Sequence, residues 1–404
     1  MKTLSAQNLS ISLPLSLCLG LALAAPVWAQ ADEILLPVAE SEDAAVSDDA
    51  PIAFPEGLML LPQEVQDAAS AGMGAEEAEI PGGMNAADAA YYRAQVAYIG
   101  QDWGLARQYA ETAAAGGNAQ AAMLAGMIAR EGLTGEPDFP AAVQWFRRAA
   151  DQDEPIALYQ LGLLARLSDD SLGLGTPRSW FERAARSGHV NGMVAYAIEL
   201  KNSPVPQDAI SARQWAERAA QQGSAEGMYQ LAQMLDAGIG GAPDAAGARS
   251  WYERAGDDRL AEAAFQAGMM WAAGEGGEQD DAAGREWLRI AAESGYAPAE
   301  GQYGLMLYQG RGGEEDKGSA AYWFSQGAHH GDAESQYLYA FVLARGEGVT
   351  ADLEAAYGWV LMGAVDDLGA PVADPGRDLL QDGLERALPL GVRERIRSEV
   401  AASR

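Results

Sequence analysis

One spacing constrains this chain more than any other feature in it. Aromatic residues followed four and five positions later by small residues recur at Tyr109, Trp145, Trp180, Trp215, Trp251, Trp287, Trp323 and Trp359, at intervals of 36, 35, 35, 36, 36, 36 and 36 residues. The small pairs are Ala113-Ala114, Ala149-Ala150, Ala184-Ala185, Ala219-Ala220, Ala255-Gly256, Ala291-Ala292, Gly327-Ala328 and Gly363-Ala364. On a helix, positions i and i+4 share a face, so a small residue there lets a neighbouring backbone approach closely beside the ring. A second apolar stretch precedes each such helix, as in residues 297–309 (APAEGQYGLMLYQ). In the later copies glycine pairs end that stretch: Gly238 and Gly240, Gly274 and Gly276, Gly310 and Gly312, Gly346 and Gly348. Such glycines suit the left-handed turn after a helix C-terminus. Each period therefore reads helix, glycine turn, helix, short loop. A fixed period of this length means stacked units that bury one another's faces.

The pattern resembles the Sel1-like repeat family, relatives of the tetratricopeptide repeats. The family's small-residue, Leu-Gly, Gly-x-Gly, Trp-aromatic and Ala-Ala elements are matched by Ala299, Tyr303-Gly304, Gly310-Arg311-Gly312, Trp323-Phe324 and Gly327-Ala328, and again by Leu161-Gly162, Trp180-Phe181 and Ala184-Ala185. The resemblance spans roughly residues 86–366. Two periods depart from it, with Ser168-Asp169-Asp170 and Lys201-Asn202-Ser203-Pro204 where the glycine turn belongs. It implies an all-α, right-handed α-solenoid of about eight helix-turn-helix repeats. Their expected boundaries are 86–117, 118–153, 154–188, 189–223, 224–259, 260–295, 296–331 and 332–366. First helices are expected over 119–130, 156–166, 226–236, 298–309 and 333–345, with no β-sheet in the array. The tryptophans at 145, 180, 215, 251, 287 and 323 are expected to be mostly buried between neighbouring pairs. Residues 367–404 are expected to form a helical cap, with helices over 378–387 and 392–402. In the second of these, Val392, Ile396 and Val400 fall on one stripe.

The ends of the chain differ from the array. Lys2 is the only charge before Asp32, and residues 11–24 (ISLPLSLCLGLALA) form an apolar run too short to span a bilayer comfortably. With Ala29-Gln30-Ala31 as a small-residue cleavage site, residues 1–31 read as a signal peptide, leaving no transmembrane segment after cleavage. Cys18 is the only cysteine and lies inside the leader, so the exported chain has no disulfide and depends on packing. Residues 32–85 carry thirteen Asp or Glu, no Lys or Arg, and five prolines, the composition of a disordered acidic linker. Within it, residues 52–65 (IAFPEGLMLLPQEV) are more apolar than a spacer requires and are a candidate docking element. The preference for Arg, 24 against 3 Lys, fits a GC-rich bacterial genome, and in a Gram-negative cell export leads to the periplasm, with an extracellular destination as the other outcome.

The chemistry of sites is sparsely represented. With 58 Asp and Glu against 27 Lys and Arg, a formal charge of −31 repels a phosphate backbone, which argues against nucleic-acid binding. His329 and His330 have Asp332 and Glu334 nearby, but consecutive helical residues point about 100° apart, and a place at a helix C-terminus suits a dipole partner better than a metal ligand. The runs Gly274-Glu275-Gly276-Gly277 and Gly310-Arg311-Gly312-Gly313 look like phosphate cradles, yet their recurrence marks them as helix breakers. No catalytic, cofactor or metal set is expected, and the chain is read as a non-enzyme.

Binding is better represented. One column of the first helices reads Gln160, Ala195, Gln230, Gln266, Gln302, and the position before it reads Tyr159, Val194, Tyr229, Phe265, Gly301, Tyr337. In tetratricopeptide-like stacks the first helices line the groove. The resemblance therefore implies Gln160, Gln230, Gln266 and Gln302, flanked by Tyr159 and Tyr229, as amide and ring contacts for an extended polypeptide. The expected function is an exported protein-interaction scaffold for envelope signalling or assembly. The alternative is a peptidoglycan- or cell-wall-associated protein, with or without hydrolase activity, which the acidic surface disfavours.

Overall fold

The computed structural model describes residues 65–66, 74–76, 78–168, 171–364 and 374–403. The expected leader over 1–31, the acidic segment as far as residue 64, and Pro371 lie outside the described residues. Eight consecutive helix pairs run through the array: α1 (Ala86–Ile99) and α2 (Trp103–Ala115), α3 (Ala119–Arg130) and α4 (Phe139–Ala150), α5 (Pro155–Leu167) and α6 (Pro177–Arg186), α7 (Val190–Lys201) and α8 (Pro206–Gln221), α9 (Ala225–Asp236) and α10 (Ala245–Asp257), α11 (Ala261–Ala273) and α12 (Asp281–Glu293), α13 (Ala297–Gln309) and α14 (Lys317–His329), α15 (Ala333–Arg345) and α16 (Leu353–Met362). Two further helices follow, α17 (Pro375–Ala387) and α18 (Leu390–Ala402), and there is no strand among the described residues. The five first helices expected from the period coincide with α3, α5, α9, α13 and α15 to within one residue. By contacts the described chain divides into two compact units, residues 65–231 with 239–241 and residues 232–238 with 242–403.

Six of the eight second helices start where an aspartate caps them. Asp102, Asp138, Asp244, Asp280, Asp316 and Asp352 all stand seven residues before the landmark aromatic, and the side chain of each accepts backbone N–H groups of the first helical turn at 2.9 to 3.1 Å. A cap of this kind contributes about 0.5–2 kcal/mol. The two periods that lack a glycine turn lack this cap as well. There α6 and α8 begin with Pro177 and Pro206, and Thr176 and Val205 make no side-chain capping bond. Proline in the first turn tolerates that arrangement because its missing N–H would have no partner there anyway.

The tryptophans are less enclosed than the residues that follow them. All six are half-buried, and the fully enclosed residue is the next one along. Phe146, Phe181 and Ala216 in the first unit, and Tyr252, Leu288, Phe324 and Val360 in the second, are 0–1 % exposed. One helical step rotates the side chain by about 100°, so this position points straight at the paired first helix while the indole sits at the margin of the buried stripe. The Leu-Gly element explains the space. A Cβ on Gly162 would clash with the Phe181 ring, and one on Gly126 or Gly304 would crowd Phe146 or Phe324. Glycine on the first helix thus receives the ring of the second.

The glycine turns are docking features between repeats. Gly310 closes α13 at φ +65°, and Gly312, at φ +69°, lies where a Cβ would collide with the carbonyl of Asp281 in the preceding pair. A Cβ on Gly313 would meet the guanidinium of Arg285, which donates to the Glu314 carbonyl at 3.1 Å. The run is occupied by the protein's own previous repeat, in keeping with a breaker rather than an anion cradle.

Both described ends of the array are covered. Leu380, Leu384, Leu388, Ile396 and Val400 of the last segment are buried with Tyr337, Ala340, Tyr357 and Val360, and Val392 packs beside them. The helices of this segment start earlier than expected, at Pro375 and Leu390. At the other end Val65, Ala75 and Ala78 are buried with Tyr92, Tyr98, Leu124 and Ile128. These three belong to the segment read as a disordered linker, and their small apolar side chains pack in one cluster with α1.

Candidate functional site

The glutamine column lies on the first helices, as its register requires, but the structure uses it between repeats. In the first unit Gln160 is 5 % and Gln230 3 % exposed, and their neighbours Tyr159 and Tyr229 are also buried. Arg130, the last residue of α3, donates through Nη1 to Oε1 of Gln160. Lys201 Nζ donates to Gln230 Oε1 at 3.0 Å, while Gln230 Nε2 donates to Glu226 Oε1 at 2.8 Å. Between these steps Arg166 pairs with Glu199 at 2.9 Å. A basic group near the end of one first helix therefore grips a polar group of the next. Burial lowers the pKa of Lys201, with the charge of Glu226 acting in the opposite direction. In the second unit Gln266 is half-buried, and Gln302 Nε2 donates to Glu334 Oε2 at 3.1 Å. As placed, Tyr159, Gln160, Tyr229 and Gln230 offer a partner little surface, and both amides bond within the chain.

Tyr159 has a ring partner from the following pair. His189, the N-cap of α7, stacks on it with centroids 4.8 Å apart, and its Nδ1 accepts the Gly192 N–H at 2.9 Å. Burial lowers the His189 imidazole to about 4. The other two histidines diverge. His329 Nδ1 lies 2.6 Å from the Ser325 carbonyl, and its ring meets Trp359 edge-on at 4.9 Å. His330 Nδ1 lies 2.8 Å from Oε2 of the buried Glu300. Among the described residues no three His, Cys, Asp or Glu side chains converge as a metal would require.

Two arginine columns carry contacts that the sequence reading missed. Three residues after the landmark, Arg148, Arg183 and Arg218 lie over Trp145, Trp180 and Trp215 at 5.9, 5.5 and 4.5 Å. Arg148 and Arg183 also donate to the carbonyls of Ala115 and Ala150, which end the preceding second helices, at 3.3 and 2.6 Å. In the second unit Arg254 covers Trp251 at 4.1 Å. The recurring Trp-x-x-Arg spacing was the signal for this column. Two residues before the landmark stand Arg107 and Arg178, which reach forward instead. Arg107 donates to Thr134 Oγ1 at 3.3 Å, and Arg178 takes both carboxylate oxygens of Asp208 at 2.7 and 3.0 Å. Arg147, on α4, reaches the Gly173 carbonyl at 2.6 Å.

These forward contacts tie the turn of one helix pair to the next in the first unit, and exposed apolar residues stand beside those turns. A shallow, open depression lies there, lined by Gly100, Gln101, Asp102, Trp103, Gly104, Leu133 and Thr134. Further along, Phe139 is 44 %, Leu167 62 %, Val205 49 % and Ile210 42 % exposed. Isolated exposed apolar residues are ordinary, but a run of them on consecutive repeats is a docking surface in form. In the second unit the register of Trp103 and Phe139 is held by Ala245, Asp281, Lys317 and Leu353.

Comparison with known proteins agrees with this architecture. The Sel1 repeat family model matches residues 119–154, 155–189, 192–224, 225–258, 261–296, 297–332 and 333–364. It starts at the second helix pair, while α1 and α2 share the pair geometry outside the matched range. A protective antigen of uropathogenic Escherichia coli strains displaying an SLR fold is 22 % identical with a TM-score of 0.64, covering 84 % of this chain and 75 % of that one. A Sel1 repeat protein from Oxalobacter formigenes is 25 % identical with a TM-score of 0.57, covering 75 % and 86 %. No curated protein matches the chain.

Proposed function

The chain belongs to the Sel1 repeat family, whose members are generally protein-interaction scaffolds, and from that premise we propose that it is an exported scaffold capturing a polypeptide partner along the turn edge of its first four repeats. One observation carries the choice of surface. In the first unit the column members that groove binding would use, Gln160 and Gln230, are buried and internally bonded, whereas Phe139, Leu167, Val205 and Ile210 stand exposed on consecutive repeats. Aliphatic and aromatic side chains on a rigid repeat scaffold suit an extended ligand, because the surface is ordered before binding. The export reading rests on residues 1–31 and supports a periplasmic site of action, with the role in envelope signalling or assembly and not in hydrolysis. The chain acts in this reading by binding alone, with no cofactor.

Affinity capture from an envelope extract, run beside retention on purified cell wall at low and high salt, tests it. The scaffold reading expects discrete polypeptides held at high salt, since apolar contact is not screened. Retention on cell wall with no polypeptide captured would favour the wall-associated alternative.

A further inference from the structure

A guanidinium lies over each of the first five landmark rings. Arg93 stands over Tyr109 at 5.8 Å, and Arg148, Arg183, Arg218 and Arg254 stand over Trp145, Trp180, Trp215 and Trp251 at 5.9, 5.5, 4.5 and 4.1 Å. The column then stops. At the position of Arg254 the last three repeats carry Ile290, Gln326 and Met362. Two of these replacements are apolar: Ile290 and Trp287 pack against one cluster, and Met362 and Trp359 against another. Trp323 differs, because the neutral, half-buried Gln326 takes the place of the cation.

The surroundings of Trp323 suit a cation from outside the chain. Tyr322, 57 % exposed, stands at 76° to the indole with centroids 5.3 Å apart, and Tyr303 stands at 69° and 5.5 Å. Residues 322 and 326 are four apart on α14, so a charge seated beside Gln326 lies next to both the phenol ring and the indole. Trp323 also packs against the cluster that holds Ala291 and Ala292, in the last turn of α12, where helix carbonyls carry partial negative charge. Ala292 has the register of Ala150, whose carbonyl receives Arg183. Lys317, at the start of α14, is held by Glu347 at 2.8 Å, and the acidic chain attracts a cationic segment.

We infer that Tyr322, Trp323 and the C-terminus of α12 form a receptor for an arginine side chain of a polypeptide partner, a docking point separate from the turn edge. Arginine is the fitting cation. Its flat guanidinium stacks on a ring while its N–H groups still reach a helix carbonyl, as Arg183 does within the chain, whereas an ammonium is a compact point charge.

Nuclear magnetic resonance of the indole N–H groups in the full chain tests this, with the Trp323 signal assigned by its loss in Trp323→Phe. The protein is titrated with acetyl-Gly-Arg-Gly-amide and with the same peptide carrying neutral citrulline in place of arginine. The arginine peptide should shift the Trp323 signal saturably, and the citrulline peptide should leave it in place. Tyr322→Ala should weaken binding about fivefold. Gln326→Arg should abolish it, because the chain then supplies the cation itself, as it does at the first five landmark rings. Both substituted side chains are at least partly exposed, so the fold should survive. No shift at Trp323, an equal shift with citrulline, or full binding to Gln326→Arg would each overturn the assignment. So would a shift spread evenly over all the indoles, which means attraction to the acidic surface alone. The outcome is independent of polypeptide capture at the turn edge, so either reading can fail while the other stands.

Discussion

Arg183 lies over the indole of Trp180, its guanidinium carbon 5.5 Å from the ring centroid. The same guanidinium donates to the carbonyl of Ala150 at 2.6 Å, so one side chain closes a cation–π contact within its helix and satisfies the C-terminus of the helix before it. Arg183→Ala should destabilise the first unit by about 1 kcal/mol, a modest figure because the side chain is 42 % exposed. Arg183→Lys should recover only part of that, since an ammonium cannot both stack flat and reach the carbonyl. Urea unfolding of the two variants measures the difference, and an alanine variant as stable as the parent would show the contact to be incidental.

A larger effect is expected one residue along. Phe181 is fully buried and faces Gly162, so Phe181→Ala should cost about 3–5 kcal/mol, and Gly162→Ala should also destabilise clearly because its new methyl enters the ring. Trp180→Ala should cost less than Phe181→Ala. The reverse order in calorimetry would mean that the landmark tryptophan carries the packing.

That ordering shows what the sequence revealed and what it did not. A period of 35 or 36 residues placed the helices to within a residue, because repeated spacing is a property of the chain itself. Which of two adjacent residues points inward depends on a rotation of about 100°, and Trp180 beside Phe181 gave no way to choose from hydrophobicity alone. The glutamine column failed for another reason. Register located Gln160 and Gln230 on the first helices, but the groups that use up their amides, Arg130 and Lys201, lie about thirty residues away on the neighbouring repeat. The exposed edge was hidden because its members, Phe139, Leu167 and Val205, occupy different positions within their repeats and form no column at all.

Stability should depend on pH through His189. The neutral ring is the form that caps α7, since Nδ1 must accept the Gly192 N–H, and burial holds its pKa at about 4 against 6.5 for a free ring. The unfolded chain therefore binds this proton first as pH falls. The His189 contribution is complete above about 6.5 and is lost progressively between 6.5 and 4. His189→Asn keeps a capping acceptor that does not titrate, so its stability should vary less over that interval. An identical slope in parent and variant would remove His189 as the source.

At the acid extreme Glu347 has the next part. Burial disfavours its charge, but bonds from Lys317, Tyr308 and Arg345 outweigh that and hold the carboxyl down to about 2. Its contribution is present above the ordinary value of 4.5 and is lost as pH falls from there through 2. Glu347→Gln should lower stability at neutral pH and narrow the gap to the parent at pH 2. A gap that stays constant with pH would show the carboxylate charge to be unimportant.

The turn edge is tested most directly by the affinity of a captured polypeptide for three proteins: the parent, the edge variant Leu167→Asp with Ile210→Asp, and the ladder variant Gln266→Ala with Gln302→Ala. Both edge residues are exposed, so the fold should survive. The edge variant should bind at least about tenfold more weakly, the equivalent of about 1.4 kcal/mol from two lost apolar contacts. The ladder variant should bind like the parent. Parental affinity in the edge variant, with weakened binding in the ladder variant, would contradict the edge assignment and return the site to the first helices.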